Sequence, residues 1–210
     1  MSTISINSFD PIAKQYDQWF DDNMTTFLSE LEAIKFFRPK QGKGVEIGVG
    51  TGRFAKEMGI EYGIDPSEAM ARFARERGIK VTIANAENLP YDDGSFDCAI
   101  MVTVDPFVED IEKVYREIFR ILRKGGKLIV GTLHKDGEIA QKYMGMTDSG
   151  VYKNARFHSV SETLEQLKSN GFSKLNTCQT LVNQQPEKVE IPISGHDKGS
   201  FVAIEALKTD

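Results

Sequence analysis

Residues 45–52 read Val-Glu-Ile-Gly-Val-Gly-Thr-Gly, an apolar run with one acid, Glu46, that closes on three alternate glycines, Gly48, Gly50 and Gly52. Glycines at that spacing let the backbone turn tightly and approach a ligand where any Cβ would collide. A second acid, Asp65, ends the apolar run of residues 61–65 and is followed by Pro66 and Ser67. A carboxylate at a strand end can accept both hydroxyl hydrogens of a ribose. It can also cap the helix that Pro66 opens, and the two roles coexist if separate oxygens serve them. A glycine loop with a carboxylate one strand further on is chemistry for a nucleotide-type ligand.

Charge narrows the ligand. A dinucleotide fingerprint G-x-G-x-x-G/A starting at Gly48 needs Gly or Ala at position 53, where this chain has Arg53. A pyrophosphate would be repelled by Glu46, whereas the sulfonium and ammonium groups of S-adenosylmethionine (SAM) would be attracted by it. SAM is therefore the expected cofactor. A methyl group on sulfonium is already activated, so alignment of nucleophile, methyl and sulfur can supply much of the acceleration. Only a protonated nucleophile needs a base; the candidates are His134, His158, His196, Tyr16 and Tyr143, with His134, at the end of an apolar strand, the foremost.

The elements that must hold these residues alternate along the chain. Apolar side chains at helical spacing predict helices over 11–20 and 25–37, the second through Phe27, Leu28, Leu31, Ile34 and Phe37. Strands are expected at 44–48 and 61–65, separated by only a very short helix. After Asp65 a helix places Ala69, Met70, Phe73 and Ala74 on one face and ends at Gly78. Strands at 80–83, 96–102 and 127–133 follow, with an amphipathic helix over 111–122 and a turn at Gly125-Gly126. Alternating strands and helices imply a parallel sheet. Residues 135–158 show no clear period, 161–170 read as a helix closed by Gly171, and strands at 172–182 and 200–207 lack an intervening helix and so pair antiparallel.

These residues resemble the class I SAM-dependent methyltransferases, and among them the small-molecule branch with the type 11 methyltransferase core. The likeness runs over residues 45–133: the acid-and-glycine motif from Glu46 to Gly52, Asp65, the segment Ala84-Asn-Ala-Glu-Asn-Leu-Pro-Tyr91 with Asp92-Asp-Gly-Ser-Phe-Asp97, and Arg116-Glu-Ile-Phe-Arg-Ile-Leu-Arg-Lys-Gly-Gly-Lys127. The resemblance implies a Rossmann-like α/β fold, a seven-stranded mostly parallel sheet with helices on both faces and a C-terminal antiparallel hairpin. It implies cofactor contacts at Tyr16, Glu46, Gly48, Gly50, Gly52, Asp65, Pro66, Asn85, Ala86, Glu87 and Thr103, with Thr103 beside the methionine moiety and Asn85, Ala86 and Glu87 edging the adenine. Position 85 is more often Asp in that family; Asn keeps an acceptor oxygen and adds an NH2 that must point elsewhere. Asp105 is placed near the transferred methyl, and with Tyr16 and His134 completes the expected catalytic set; its competing role is to cap the helix that Pro106 opens.

The chain has 210 residues, 40% hydrophobic and 27% charged, which suits one globular domain, 1–210. Within it we expect a helical arm at 1–40, a SAM-binding core at 43–134, and substrate-side cap segments at 135–158 and 183–199. The arm contributes no strand, so the core is expected to fold without residues 1–20. A formal charge of −5 argues against a nucleic-acid partner, whose phosphates need a basic face. Cys98 and Cys178 have no zinc-binding spacing, so no metal is expected. No apolar run approaches the roughly 18 residues of a membrane span, and the N-terminus lacks a basic segment followed by an apolar one, so the expectation is a cytoplasmic protein, monomer or homodimer, without membrane contact. Two other functions fit less well: an NAD(P)-dependent oxidoreductase, and a SAM-binding protein without transfer activity.

Overall fold

The computed structural model describes residues 9–39, 41–146, 151–183 and 186–209. Residues 1–8 and 40 of the expected arm, and 147–150 and 184–185 of the two expected cap segments, lie outside the described residues. Helices α1 (Ala13–Asp22) and α2 (Met24–Phe36) come first, after a 3-10 turn at Asp10–Ile12. The core then runs β1 (Gly44–Ile47), α3 (Arg53–Met58), β2 (Tyr62–Asp65), α4 (Glu68–Glu76), β3 (Lys80–Ile83), β4 (Phe96–Val102), α5 (Ile111–Ile121) and β5 (Leu122–Leu133). Helices α6 (Glu138–Met144) and α7 (Val160–Ser169) precede β6 (Ser173–Thr180), β7 (Ile193–Ser194) and β8 (Phe201–Leu207).

Local chemistry sets these boundaries. The six-residue α3 is closed at both ends by left-handed glycines, Gly52 and Gly59, which explains the compressed first crossover. Ser67 caps α4 by accepting the Met70 amide, Asp110 caps α5 through the Lys113 amide, and Ser159 with Glu162 forms a capping box on α7.

The strand order is β3-β2-β1-β4-β5-β8-β6-β7. Strands β1 to β5 pair in parallel, whereas β8 is antiparallel to both β5 and β6. This is the expected Rossmann-like sheet with two corrections. Among the described residues the sheet has eight strands rather than seven, because Ile193 and Ser194 pair with Gln179 and Cys178 at the outer edge; two residues are too short to show an alternating pattern. The expected turn at Gly125-Gly126 is instead a break inside β5: Leu122 pairs with Phe96, the register shifts, and pairing resumes at Lys127 opposite Cys98.

Side chains alternate across the sheet. Cys98, Ile100 and Val102 face a core built with α2 and α3, and Ala99 and Met101 face one built with α5 and α7. Between β1 and β4 the order reverses: β2 and β3 lie on one side, β5 on the other. In open α/β sheets the crevice at the carboxyl ends of such a strand pair is where ligands bind.

Candidate active site

A cavity of about 740 Å3 opens at that crevice. Of the residues that the sequence nominated, Gly48 and Gly50 reach it from the end of β1, Asp65 and Pro66 from β2, Asn85, Ala86 and Glu87 from beyond β3, Thr103 from β4, and Tyr16 from α1. Glu46, Gly52, Asp105 and His134 do not line it.

Asp65 is 8% exposed. One carboxylate oxygen accepts the Gly50 amide at 2.8 Å and the other the Ser67 amide at 2.9 Å. Burial raises its pKa, and these two amides oppose the rise. Ser67, not Asp65, caps α4, so Asp65 serves to lock the glycine loop against β2 while facing the cavity. In the next loop Asn85 Oδ1 accepts the Glu87 amide at 2.9 Å, which commits the acceptor oxygen to the turn and leaves the side-chain NH2 as the available group. The Glu87 carboxylate in turn accepts the amides of Glu109 and Asp110, tying this loop to the start of α5. Thr103 sits at φ +52°, a left-handed conformation that costs a non-glycine residue roughly 1–3 kcal/mol and is found preferentially at ligand sites.

Glu46 lies behind the loop, 2% exposed, with Oε2 lacking a hydrogen-bond partner among the described residues. Burial raises its pKa well above the carboxylate range; the Ala55 amide opposes this and the charge of Asp65 adds to it. A cation brought near would favour its ionised form, as it would for Asp65. Gly52 faces away from the cavity, where a Cβ would stand 2.9 Å from Ala74.

Asp105 and the candidate histidines fall elsewhere. Asp105 is buried in a 3-10 turn (Asp105–Phe107) without capping it; it accepts the Thr132 hydroxyl at 2.9 Å, and burial pushes its pKa up to about 7. His134 Nε2 lies 2.9 Å from the Gly199 carbonyl oxygen. His196 contacts Thr177 at a separate surface depression, and His158 does not line the cavity. Among the described residues the cavity has no histidine; the phenols Tyr16 and Tyr143 do reach it, each pushed up by burial.

Away from the glycine loop, aromatic side chains line the cavity and form an aromatic chamber. Trp19 and Phe20 come from α1, Tyr143 from α6, Tyr152 from the 3-10 turn Val151–Asn154, and Phe157 follows. Tyr143 and Tyr152 stack at 4.2 Å. Thus the segment 135–158 contributes to the wall, whereas no residue of 183–199 lines the cavity among those described. Glu30 of α2, outside the expected set of site residues, is 6% exposed and lines the chamber. Its signal was present: Glu30 lies three residues after Phe27 and four before Ile34, an acid on the apolar stripe.

Arg53, the residue that spoils the dinucleotide fingerprint, fastens α1 to this site. It forms a bidentate pair with Asp17 at 2.9 and 3.0 Å and also reaches Asp21 at 2.7 Å, while Arg77 reaches Asp17 at 2.9 Å. Among the described residues no cluster of three potential metal ligands occurs, and no helix is long and apolar enough to cross a membrane.

Residues 45–130 match the family described as methyltransferase domain. An uncharacterised protein of Methanocaldococcus jannaschii is 44% identical over 206 residues, covering 97% of this chain and all of its own length. A Thermotoga maritima crystal structure, described as a SAM-dependent methyltransferase and possible histamine N-methyltransferase, is similar with a TM-score of 0.92 at 42% identity, over 96% of this chain and 98% of its own. The ubiquinone/menaquinone biosynthesis C-methyltransferase of Cronobacter sakazakii is 31% identical over 118 residues, 44% of this chain and 45% of its own.

Proposed function

The chain belongs to the class I SAM-dependent methyltransferases with a type 11 core, and from that premise we propose that it transfers the methyl group of SAM to a small-molecule acceptor held in the aromatic chamber. The observation that carries this reading is the continuity of one cavity from the glycine loop and Asp65 to Tyr143 and Tyr152. When bound, SAM supplies an electrophilic methyl on a leaving group that needs no acid. Asp65 would take the ribose hydroxyls on its remaining lone pairs, and the Asn85 NH2 with the Ala86 backbone would meet the adenine. Gly50, where a Cβ would meet only Tyr16 at 3.8 Å, leaves open space for the ligand's approach, and the unpartnered Glu46 oxygen behind it favours a cation in front.

With no histidine lining the cavity among the described residues, rate acceleration rests on alignment and exclusion of water by Tyr16, Trp19 and Phe20 rather than on an imidazole base. The test is to incubate the protein with SAM and separate panels of amines, histamine among them, phenols and thiols, and to follow S-adenosylhomocysteine (SAH) by mass spectrometry. Acceptor-dependent SAH is expected. Asp65→Ala should stay folded and bind SAM about 10- to 150-fold more weakly, the equivalent of about 1.5–3 kcal/mol. Binding of SAM with no SAH from any acceptor would support a binding protein instead, and preference for NADH over SAM would support an oxidoreductase.

A further inference from the structure

Glu30 stands across the cavity from the nucleoside-type residues. Asp65 and Asn85 project from β2 and the loop after β3, whereas α2 packs on β5, β6 and β8. Among the described residues Glu30 makes no hydrogen bond and no ion pair, and Lys142, which also lines the cavity, does not pair with it. The Glu30 carboxyl opens to the cavity rather than being sealed in the core, on the side of α2 that also carries Thr26, with Asn23 just before the helix. An acid without a protein partner in a largely apolar cavity gains from a cationic ligand. Tyr16, Tyr143 and Tyr152 all lie within range of its charge. Aromatic side chains lining a cavity that holds a carboxylate suit an organic cation, since the anion attracts the charge and the rings cover the carbon skeleton.

We propose that Glu30 is the acceptor-binding residue of this chamber and that the acceptor is a small amine bound as its ammonium ion, whose charge Glu30 holds while its carbon skeleton lies among the tyrosines. The methyl passes to an atom of that molecule with a free lone pair, and to the amine nitrogen itself only after its proton has passed to the Glu30 carboxylate. The proposal rests on the methyltransferase reading for the word acceptor, but the cation site itself stands on the chamber's geometry.

Burial pushes the Glu30 pKa up to about 8. Below that pH the empty chamber holds a proton on Glu30, and a bound ammonium displaces it. Of the groups facing Glu30, Tyr16 of α1, Tyr143 of α6 and Tyr152 of the 3-10 turn are phenols that burial raises away from this window; Lys142 of α6 is the cation at the rim. Ammonium affinity should therefore rise roughly tenfold per pH unit up to about 8 and then level.

The experiment is calorimetric titration of SAH-loaded protein with three alkylammonium probes of rising size, propylammonium, phenethylammonium and histamine, and with 2-phenylethanol as the neutral counterpart. At least one ammonium should bind tenfold or more tightly than the alcohol, with proton release at pH 7 read from buffers of different ionisation enthalpy. Glu30→Gln should lose that preference and the proton release while keeping SAH affinity within about twofold. Failure of every ammonium to bind the wild type, equal binding of alcohol and ammonium, or an unchanged preference in Glu30→Gln would overturn the proposal. So would a parallel loss of SAH affinity, which would move Glu30 into the cofactor site. If Glu30→Gln fails to fold, proton release by the wild type decides. Failure of SAH to bind the wild type would count against the methyltransferase reading alone, since the same ammonium titration without SAH still reads the cation site.

Discussion

Gly50 and Gly52 share left-handed backbone, at φ +52° and +82°, yet a Cβ would meet different surroundings. At Gly52 it would press on the Cα and Cβ of Ala74 at 2.9 Å, whereas at Gly50 it would enter open space toward the cavity. The same motif therefore holds a packing glycine and a ligand glycine. Gly52→Ala is expected to combine backbone strain with overpacking, about 2–4 kcal/mol in total, and to lower the Tm by roughly 5–15 °C. Gly50→Ala should cost only the strain, about 1–2 kcal/mol, but weaken SAM binding by on the order of tenfold or more once the methyl occupies the approach. Thermal unfolding and calorimetry on both variants check this; a Gly50→Ala protein that binds SAM normally would remove the loop from the site. The spacing of the motif was legible in sequence, but the division of labour was not, because it depends on which glycine faces α4.

At the scale of elements, α1 is part of the frame. Phe20 is 4% exposed and packs edge-to-face on Phe27 and Phe54, and the arm is fastened through Asp17 to Arg53 and Arg77. The sequence shows no strand in the arm, which suggested that the core would fold without residues 1–20. That deletion is now expected to expose Phe27 and Phe54 and to strand two partly buried arginines. A milder test is Asp17→Asn. Burial acts to raise the pKa of Asp17, but hydrogen bonds from Arg53 and Arg77 outweigh it and hold the pKa below 3.8. A depressed carboxylate stabilises the fold above its unfolded pKa, and that contribution is lost as the pH falls through the folded value. The variant should be less stable by about 1–3 kcal/mol at pH 7, and the gap should close below about pH 4. A gap independent of pH would show that Asp17 acts by packing. Other elements escaped sequence reading for local reasons: α6 has seven residues and buries only Ala140, so it shows no period, and the two-residue β7 has nothing to alternate.

For the whole molecule, strand β4 could be read directly because it is an apolar run between helices that bury both its faces, whereas the exposed edge strand β3 was legible from its β-branched residues and its place after Gly78. The C-terminal half was legible as antiparallel strands, though not the placement of β8 between β5 and β6. Site residues at strand ends were legible for the same reason that strand ends were. What was hidden depends on tertiary placement: His134 turns to the Gly199 carbonyl, Asp105 to Thr132, and Glu30 enters the cavity from a helix that reads as ordinary core packing. A crystal structure with SAH is expected to show the ribose hydroxyls on Asp65, the adenine beside Asn85 to Glu87, and the sulfur directed past Tyr16 into the chamber that holds Glu30 and Tyr143. SAH bound outside this cavity, or with its sulfur turned away from that chamber, would contradict this assignment of the site.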